Sequence, residues 1–192
     1  MMTPHPTRIS WFLAFNGCSM ENQNQAKAAV LSSQPYAMDR YCLYDGEDLP
    51  FIEWLENHQV RVFRHRFTLS EQLLSAGKPL LQTGAFLRVD IPEIIWRHGL
   101  PIRHYLYTDC DILFQKDPNA LLNRGPESIC AAPEHNQHGA DYFNAGILWC
   151  NATSLLDTLS EFREFLLERN FDFKAADQTA LNEFYHDFEW LP

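Results

Sequence analysis

The sequence lacks a basic surplus, a long apolar run and an N-terminal leader pattern. It has 15 Lys and Arg residues against 25 Asp and Glu residues, which gives a formal net charge of −10 at pH 7. Nucleic-acid binding needs a basic surface and is therefore not expected. No apolar run approaches the roughly 20 residues of a membrane helix, and the first residues do not follow a basic-then-apolar order. We therefore expect neither a transmembrane segment nor a signal peptide.

Cysteine pairs at short spacing are also missing. There are 5 cysteines with no C-x-x-C motif, and an odd, widely spaced set does not suit a disulfide framework. Reduced thiols suit a cytoplasmic protein, and peripheral attachment at the inner face of a membrane is the alternative. The cysteines are Cys18, Cys42, Cys110, Cys130 and Cys150.

What is present is enough apolar sequence for one globular domain. Of the 192 residues, 46% are hydrophobic, which allows a sizeable core. Strand-like apolar runs alternate with helical segments: a strand over Ile9–Phe15, a helix over 21–33, a strand over Tyr36–Tyr44, a helix over Pro50–His58 and a strand over Val60–Phe63. This alternation predicts an α/β fold with a mixed, mainly parallel sheet flanked by helices.

The rest of the chain continues the mixture of elements. Leu69–Ala76 and Gly84–His98 are predicted to be helical, with a break at Pro92, and Thr153–Arg169 is predicted to be one amphipathic helix. A polar loop holds His135 and His138, which are interpreted as surface residues. The other predicted elements are a strand from His104, a short helix from Asp117 to Leu122, a strand over Ser128–Ala132, an apolar segment over Tyr142–Asn151, a helix over Asp177–Tyr185 and a strand start at Phe188.

Two aspartates follow the apolar segment that begins at His104. Successive side chains of an extended chain alternate faces, so Asp109 and Asp111 are predicted to point to the same side. Like charges so close repel, and burying them unpaired costs several kcal/mol. A hard divalent cation with oxygen ligands, Mg²⁺ or Mn²⁺, is the simplest compensation. The pair is therefore predicted to bind a metal ion.

Three segments, in this order and at this spacing, resemble motifs of glycosyltransferase family 8, which includes lipooligosaccharide galactosyltransferases and glycogenin. Tyr107–Leu113 is similar to the family's metal motif, Tyr142–Leu148 to its Y-F-N-x-G segment, and Asp177–Asn182 to its D-Q-D-x-L-N segment. Gly84–Ile94 more weakly resembles the helix ahead of the metal motif. The likeness runs from Ile9 to the C-terminus, and it implies a single GT-A domain that is shortened at its C-terminus.

This resemblance implies the retaining transfer of a hexose from a UDP-sugar to a carbohydrate or glycolipid acceptor. It implies a nucleotide-binding half over about residues 8–115 and an acceptor and catalytic half over about residues 116–192. Asp109 and Asp111 would bind Mn²⁺ or Mg²⁺, and the metal ion would bind the donor diphosphate. The other residues expected at the donor are Arg88, Asn16, Asn144, Ala145 and Gly146, and the expected catalytic residues are Asp177 and Gln178, with Gln178 nearest to the anomeric carbon.

Three departures from the family pattern leave alternatives open. Asn16 stands where the first strand usually ends in acidic residues, and Thr179 replaces the second acid of D-Q-D. The family's histidine metal ligand would lie beyond Pro192, since His186 comes too early. One alternative is therefore a nucleotide-sugar-binding relative without turnover. A less favoured one is a phosphohydrolase of the haloacid-dehalogenase type, whose D-x-D motif lies near the N-terminus instead of about a hundred residues into the chain.

Overall fold

The computed structural model describes residues 8–134 and 142–191, so His135 and His138 lie outside the described residues. The strands are β1 (Ile9–Asn16), β2 (Met38–Asp45), β3 (Val60–Arg64), β4 (His104–Thr108), β5 (Ile129–Pro133), β6 (Phe143–Asn151) and β7 (Phe188–Trp190). The α-helices are α1 (Met20–Ser33), α2 (Leu49–Asn57), α3 (Ser70–Ser75), α4 (Leu80–Phe86), α5 (Ile91–Arg97), α6 (Ala152–Asp157), α7 (Leu159–Glu168) and α8 (Ala176–Phe184). Two 3₁₀ helices cover Leu87–Asp90 and Pro118–Asn123.

All of these strands belong to one sheet, in the order β3-β2-β1-β4-β6-β5-β7. Strands β3, β2, β1 and β4 are parallel to their neighbours in that series, and β7 is parallel to β5. Strand β6 is antiparallel to both of its neighbours, β4 and β5. The predicted mixed, mainly parallel α/β sheet is confirmed. The reversed direction of β6 brings its amino end to the carboxyl end of β4.

Helices cover both faces of the sheet, as nearly continuous apolar strands require. Along β1, Phe12 and Ala14 point into one apolar cluster, which α3 to α8 complete. Trp11 and Leu13 point into the other, where α1 and α2 pack. The alternation of side chains along one strand therefore divides the core into two layers.

The predicted helix over Gly84–His98 is divided, but not where its proline indicated. Helix α4 ends at Phe86, a 3₁₀ helix follows, and α5 begins at Ile91 with Pro92 in its first turn. Proline is tolerated there because the first helical residues have no intrahelical partner for their N–H groups. Pro92 therefore opens the second helix and does not interrupt the first.

The predicted single helix over Thr153–Arg169 is also two helices, α6 and α7, which meet at Thr158. The Thr158 hydroxyl donates to the carbonyl oxygen of Ser154 at 3.2 Å. Side-chain bonds of this kind compete with the backbone ladder and bend helices.

Across the described residues, no helix is both long enough and apolar enough to cross a bilayer. The five cysteines are unpaired; Cys42, Cys130 and Cys150 are buried, and Cys18 is exposed. A cytoplasmic location stays a prediction.

Candidate active site

The predicted site residues meet where β4 and β6 run in opposite directions. The N–H of Asp109, the residue after β4, donates to the carbonyl oxygen of Gly146 at 2.9 Å. Ala131 of β5 lies opposite Leu148 of β6, but the next residue, Ala132, lies opposite Asn144. Residues 145–147 of β6 therefore form a bulge. Bulges of this kind re-aim side chains beside functional sites. The bulge places the Asn144–Gly146 segment against the metal motif.

Asp109 is oriented by two donors. Arg88 Nη2 and the Tyr107 hydroxyl each lie 2.7 Å from Asp109 Oδ1. The other carboxylate oxygen, Oδ2, faces Gly146, where an added Cβ would lie 3.0 Å from it. Strand β4 ends before the aspartates and the chain turns at Cys110, so the extended alternation predicted for Asp109 and Asp111 is wrong. Asp111 nevertheless lines the same cavity as Asp109.

Arg88 connects the separate segments of the site. Its side chain is only 8% exposed, and its guanidinium donates to the carbonyl oxygens of Ala85 and Ala145. Arg88 Nε also lies 2.9 Å from Asp177 Oδ2. The guanidinium carbon lies 4.4 Å from the centroid of the Tyr107 ring. Burial raises the pKa of the Tyr107 hydroxyl well above its ordinary value of 10.0, so this hydroxyl stays protonated and donates.

Asp177 is a buried carboxyl group in the first turn of α8. Desolvation raises its pKa from 3.8 to about 6, against the opposing attraction of Arg88, and repulsion by Asp109 adds to the rise. Its position at the start of a helix favours the charged form. Asp177 therefore changes its charge just below neutral pH.

Asn144 and Gln178 share an acceptor, Glu134. Glu134 Oε2 lies 2.8 Å from Asn144 Nδ2 and 3.3 Å from Gln178 Nε2. The amide oxygens accept from the backbone: Asn144 Oδ1 from Gly146 at 2.8 Å, and Gln178 Oε1 from Ala145 at 3.0 Å. Both amides are therefore bonded within the protein at both ends, and they tie α8 to β6.

Asn16 is buried at the end of β1. Its Nδ2 donates to the Leu80 carbonyl oxygen at 2.8 Å and to the Thr83 hydroxyl at 3.0 Å, while its Oδ1 accepts from the Cys18 thiol at 2.7 Å. Asn16 therefore fastens α4 to the sheet. It also lines the cavity beside the aspartates.

These side chains surround a cavity of about 320 Å³ at the carboxyl ends of β1 and β4. A second cleft of about 500 Å³ adjoins it at Asn16 and reaches the carboxyl ends of β2 and β3. Ligands of parallel sheets bind at this edge, and both volumes are typical of small-molecule sites. Of the predicted residues, those that line the first cavity are Asn16, Arg88, Asp109, Asp111 and Asp177. Ala145 contacts Arg88, and Gly146 contacts Asp109. Gln178 and Asn144 in turn accept hydrogen bonds from the N–H groups of Ala145 and Gly146.

The predicted metal ligands, Asp109 and Asp111, line the same cavity. Among residues 8–134 and 142–191, no group of three or more His, Cys, Asp or Glu side chains is arranged to hold a metal ion. Mg²⁺ is usually bound by one or two carboxylates, with water and substrate phosphates as the other ligands, and Mn²⁺ accepts the same oxygen ligands. Asp109 and Asp111 fit an ion that is shared with a phosphate-bearing substrate.

Sequence reasoning missed Tyr107, Glu134 and Thr83. A signal existed for Tyr107, because it lies two positions before Asp109 at the end of a strand. No spacing pattern links Glu134 to its partners. It follows β5, whereas Gln178 lies 44 residues later.

Comparison with protein-family models and with curated sequences finds no match. Several solved structures share the fold. The glycosyltransferase GlyE of Streptococcus pneumoniae TIGR4 is 16% identical with a TM-score of 0.70, over 96% of this chain and 46% of GlyE. The galactosyltransferase LgtC, in complex with donor and acceptor sugar analogs, is 17% identical with a TM-score of 0.71, over 95% of this chain and 73% of LgtC. Mouse xyloside xylosyltransferase 1 is 14% identical with a TM-score of 0.60, over 96% and 85% of the two chains.

The chain thus spans less than half the length of GlyE and more of the other two proteins. At these identities the likeness concerns the fold, and it agrees with the architecture that the sequence motifs implied. The chain has the GT-A fold that these glycosyltransferases share.

Proposed function

We propose that this chain is a metal-dependent, retaining glycosyltransferase that moves a hexose from a UDP-sugar to a carbohydrate or glycolipid acceptor. The observation that carries the proposal is the charge arrangement in the 320 Å³ cavity. Among the described residues that line this cavity, three carry carboxyl groups, Asp109, Asp111 and Asp177, and one carries a guanidinium, Arg88. Arg88 forms ion pairs with Asp109 and Asp177. When all three carboxyl groups are ionised, two negative charges are left to attract a divalent cation.

The donor diphosphate provides the remaining ligands of the metal ion. Two carboxylates do not complete the shell of a hard cation, but phosphate oxygens and water do. A bound Mn²⁺ or Mg²⁺ supplies Lewis-acid stabilisation of the negative charge that develops on the departing diphosphate. The nucleoside then extends from the aspartates towards Asn16 and the adjoining 500 Å³ cleft.

The protein groups around the sugar hold and orient it. Arg88 and Asp177 offer a fixed donor and a fixed acceptor to sugar hydroxyls, because each is buried and held by the other at 2.9 Å. Gly146 leaves room beside Asp109 for close approach. Gln178 lies next to Asp177. Its amide is held by bonds to Ala145 and Glu134 and therefore has a fixed position near the transferred sugar. The LgtC complex with donor and acceptor sugar analogs supports two sugar subsites in this fold.

A second candidate is a nucleotide-sugar-binding relative without turnover. One observation favours it: in the part of the chain that the structure describes, no third side-chain ligand joins Asp109 and Asp111 in a metal-binding group. Binding and turnover separate the two candidates. The haloacid-dehalogenase alternative receives no support from a fold that matches glycosyltransferases.

The test is a calorimetric titration of UDP into the protein, first with Mn²⁺ and then with EDTA. Asp109→Ala/Asp111→Ala is the test variant. Asp157→Ala is the control, because Asp157 is exposed beyond the opposite end of β6. We expect Mn²⁺-dependent binding in the wild type and the control, and its loss in the double variant. Binding that is equal in EDTA would refute metal dependence, and no binding in either condition would refute the donor site.

Turnover is measured next, as hydrolysis or transfer of UDP-glucose and UDP-galactose with Mn²⁺. Release of UDP above the double variant's level supports the transferase. Binding without release supports the non-catalytic candidate.

A further inference from the structure

The two oxygens of the Asp109 carboxylate have different surroundings. Oδ1 accepts two hydrogen bonds, from Arg88 Nη2 and from the Tyr107 hydroxyl, each at 2.7 Å. Oδ2 lies on the side of Gly146, the residue that presents no side chain to it. Charge-assisted bonds to a carboxylate are short and strong, so both donors resist rotation of the group.

Tyr107 is well suited to fix this orientation. It belongs to β4, and only 1% of it is exposed. Its ring is also covered by the Arg88 guanidinium at 4.4 Å. Arg88 serves Asp177 and two carbonyl oxygens as well. Among the described residues, the Tyr107 hydroxyl bonds to Asp109 alone, so its position serves that carboxylate.

We propose that Tyr107 is a positioning residue that holds Asp109 Oδ1 and thereby selects Oδ2 as the oxygen offered to the metal ion. This inference rests on the proposed function. Groups that orient metal ligands in this way change metal affinity about 10- to 100-fold when they are removed. A bond that served the packing of β4 alone would change stability without a specific effect on the metal.

The same strand supplies a matched control. Tyr105 lies two residues earlier on the same face of β4 and is 2% exposed. Tyr105 lies opposite Cys150 of β6, whereas the hydroxyl bond to Asp109 comes from Tyr107. Tyr105→Phe and Tyr107→Phe therefore each remove one buried hydroxyl from the same strand, but only the second removes a bond to Asp109.

The test measures Mn²⁺ affinity in the presence of UDP, from the electron paramagnetic resonance signal of free Mn²⁺, and UDP affinity in EDTA by calorimetry. We expect Tyr107→Phe to weaken Mn²⁺ binding about 10- to 100-fold, with Tyr105→Phe and the wild type equal. UDP affinity in EDTA should be the same in all three. In an Asp109→Ala background, adding Tyr107→Phe should have no further effect on Mn²⁺ affinity.

Equal Mn²⁺ affinity in the two phenylalanine variants would overturn the role of Tyr107 and leave the proposed function intact. A further loss in the Asp109→Ala background would overturn it as well, since Tyr107 would then act through another group. Wild-type protein that binds UDP without taking up Mn²⁺ would refute both this role and metal dependence. Binding of neither would refute the donor site as a whole.

Discussion

The buried carboxyl group of Asp177 should make the fold less stable as the pH rises. Its pKa is about 6 in the folded protein, against an ordinary value of 3.8. The folded protein therefore binds this proton more tightly than the unfolded chain does, and the free energy of unfolding falls as the pH rises from 3.8 to about 6. At about 1.4 kcal/mol per unit of pKa shift, the full effect is about 3 kcal/mol.

Asp177→Asn tests this reasoning, because asparagine keeps the shape of the side chain and cannot ionise. Urea denaturation at pH values from 3 to 8 would give the free energy of unfolding of both proteins. Every other titrating group is common to the two, so their difference isolates Asp177. We expect the difference, variant minus wild type, to rise by about 2 to 3 kcal/mol between pH 4 and pH 7. Parallel curves over that range would refute the reasoning.

Asp90 gives a comparison of opposite sign. It is completely buried, and although desolvation alone would raise its pKa, hydrogen bonds from His65 and Arg163 lower the pKa below 3.8. The stability that Asp90 contributes is therefore present above 3.8 and is lost as the pH falls through its folded pKa. For Asp90→Asn the difference, variant minus wild type, should fall as the pH rises through that acidic range.

Three further substitutions test other contacts. Gly146→Ala should weaken Mn²⁺-dependent UDP binding about tenfold, because its Cβ would lie 3.0 Å from Asp109 Oδ2; unchanged calorimetric affinity would contradict this. Gln178→Glu places a carboxylate where an amide now lies 3.3 Å from Glu134 Oε2, and it should lower the free energy of unfolding at pH 8 by about 1–3 kcal/mol. Urea titration at pH 4 should show a smaller loss, since protonation removes the repulsion. Gly84→Ala should lower the free energy of unfolding by about 1–3 kcal/mol, because its Cβ would lie 2.8 Å from a backbone nitrogen at the end of β1. A thermal midpoint equal to that of the wild type would argue against that clash.

The sequence was a good guide to local structure because strand and helix patterns are local. The strand predicted over Ile9–Phe15 is observed over Ile9–Asn16, and the helix predicted over 21–33 is observed over Met20–Ser33. The break in Gly84–His98 was predicted at Pro92, but it lies at a 3₁₀ segment before that residue. The division of Thr153–Arg169 was not predicted, because it depends on the hydroxyl bond of Thr158. The reversal of β6 was also not predictable, since strand partners are chosen by contacts between distant parts of the chain.

For the candidate site too, local motifs were predictable and contacts between distant segments were not. The motifs indicated Asp109 and Asp111, and the structure places both at one cavity. The detailed arrangement was beyond the sequence. Asn16 was predicted to contact the sugar donor, and it lines the cavity, but the sequence did not indicate that its amide nitrogen bonds to α4. The orientation of the Gln178 amide depends on Glu134, an acceptor supplied by another strand.

The pairing of β4 with β1 on one side and β6 on the other has a consequence for the order of folding. Trp11 pairs with Leu106, and Thr108 pairs with Ile147, so the cavity exists only when segments far apart in sequence have joined. Loop closure over such distances is slow, and local contacts cannot replace these distant pairings. The binding site should therefore be assembled after the rate-limiting step of folding. A donor nucleotide would then slow the unfolding of the finished molecule and leave its folding rate unchanged.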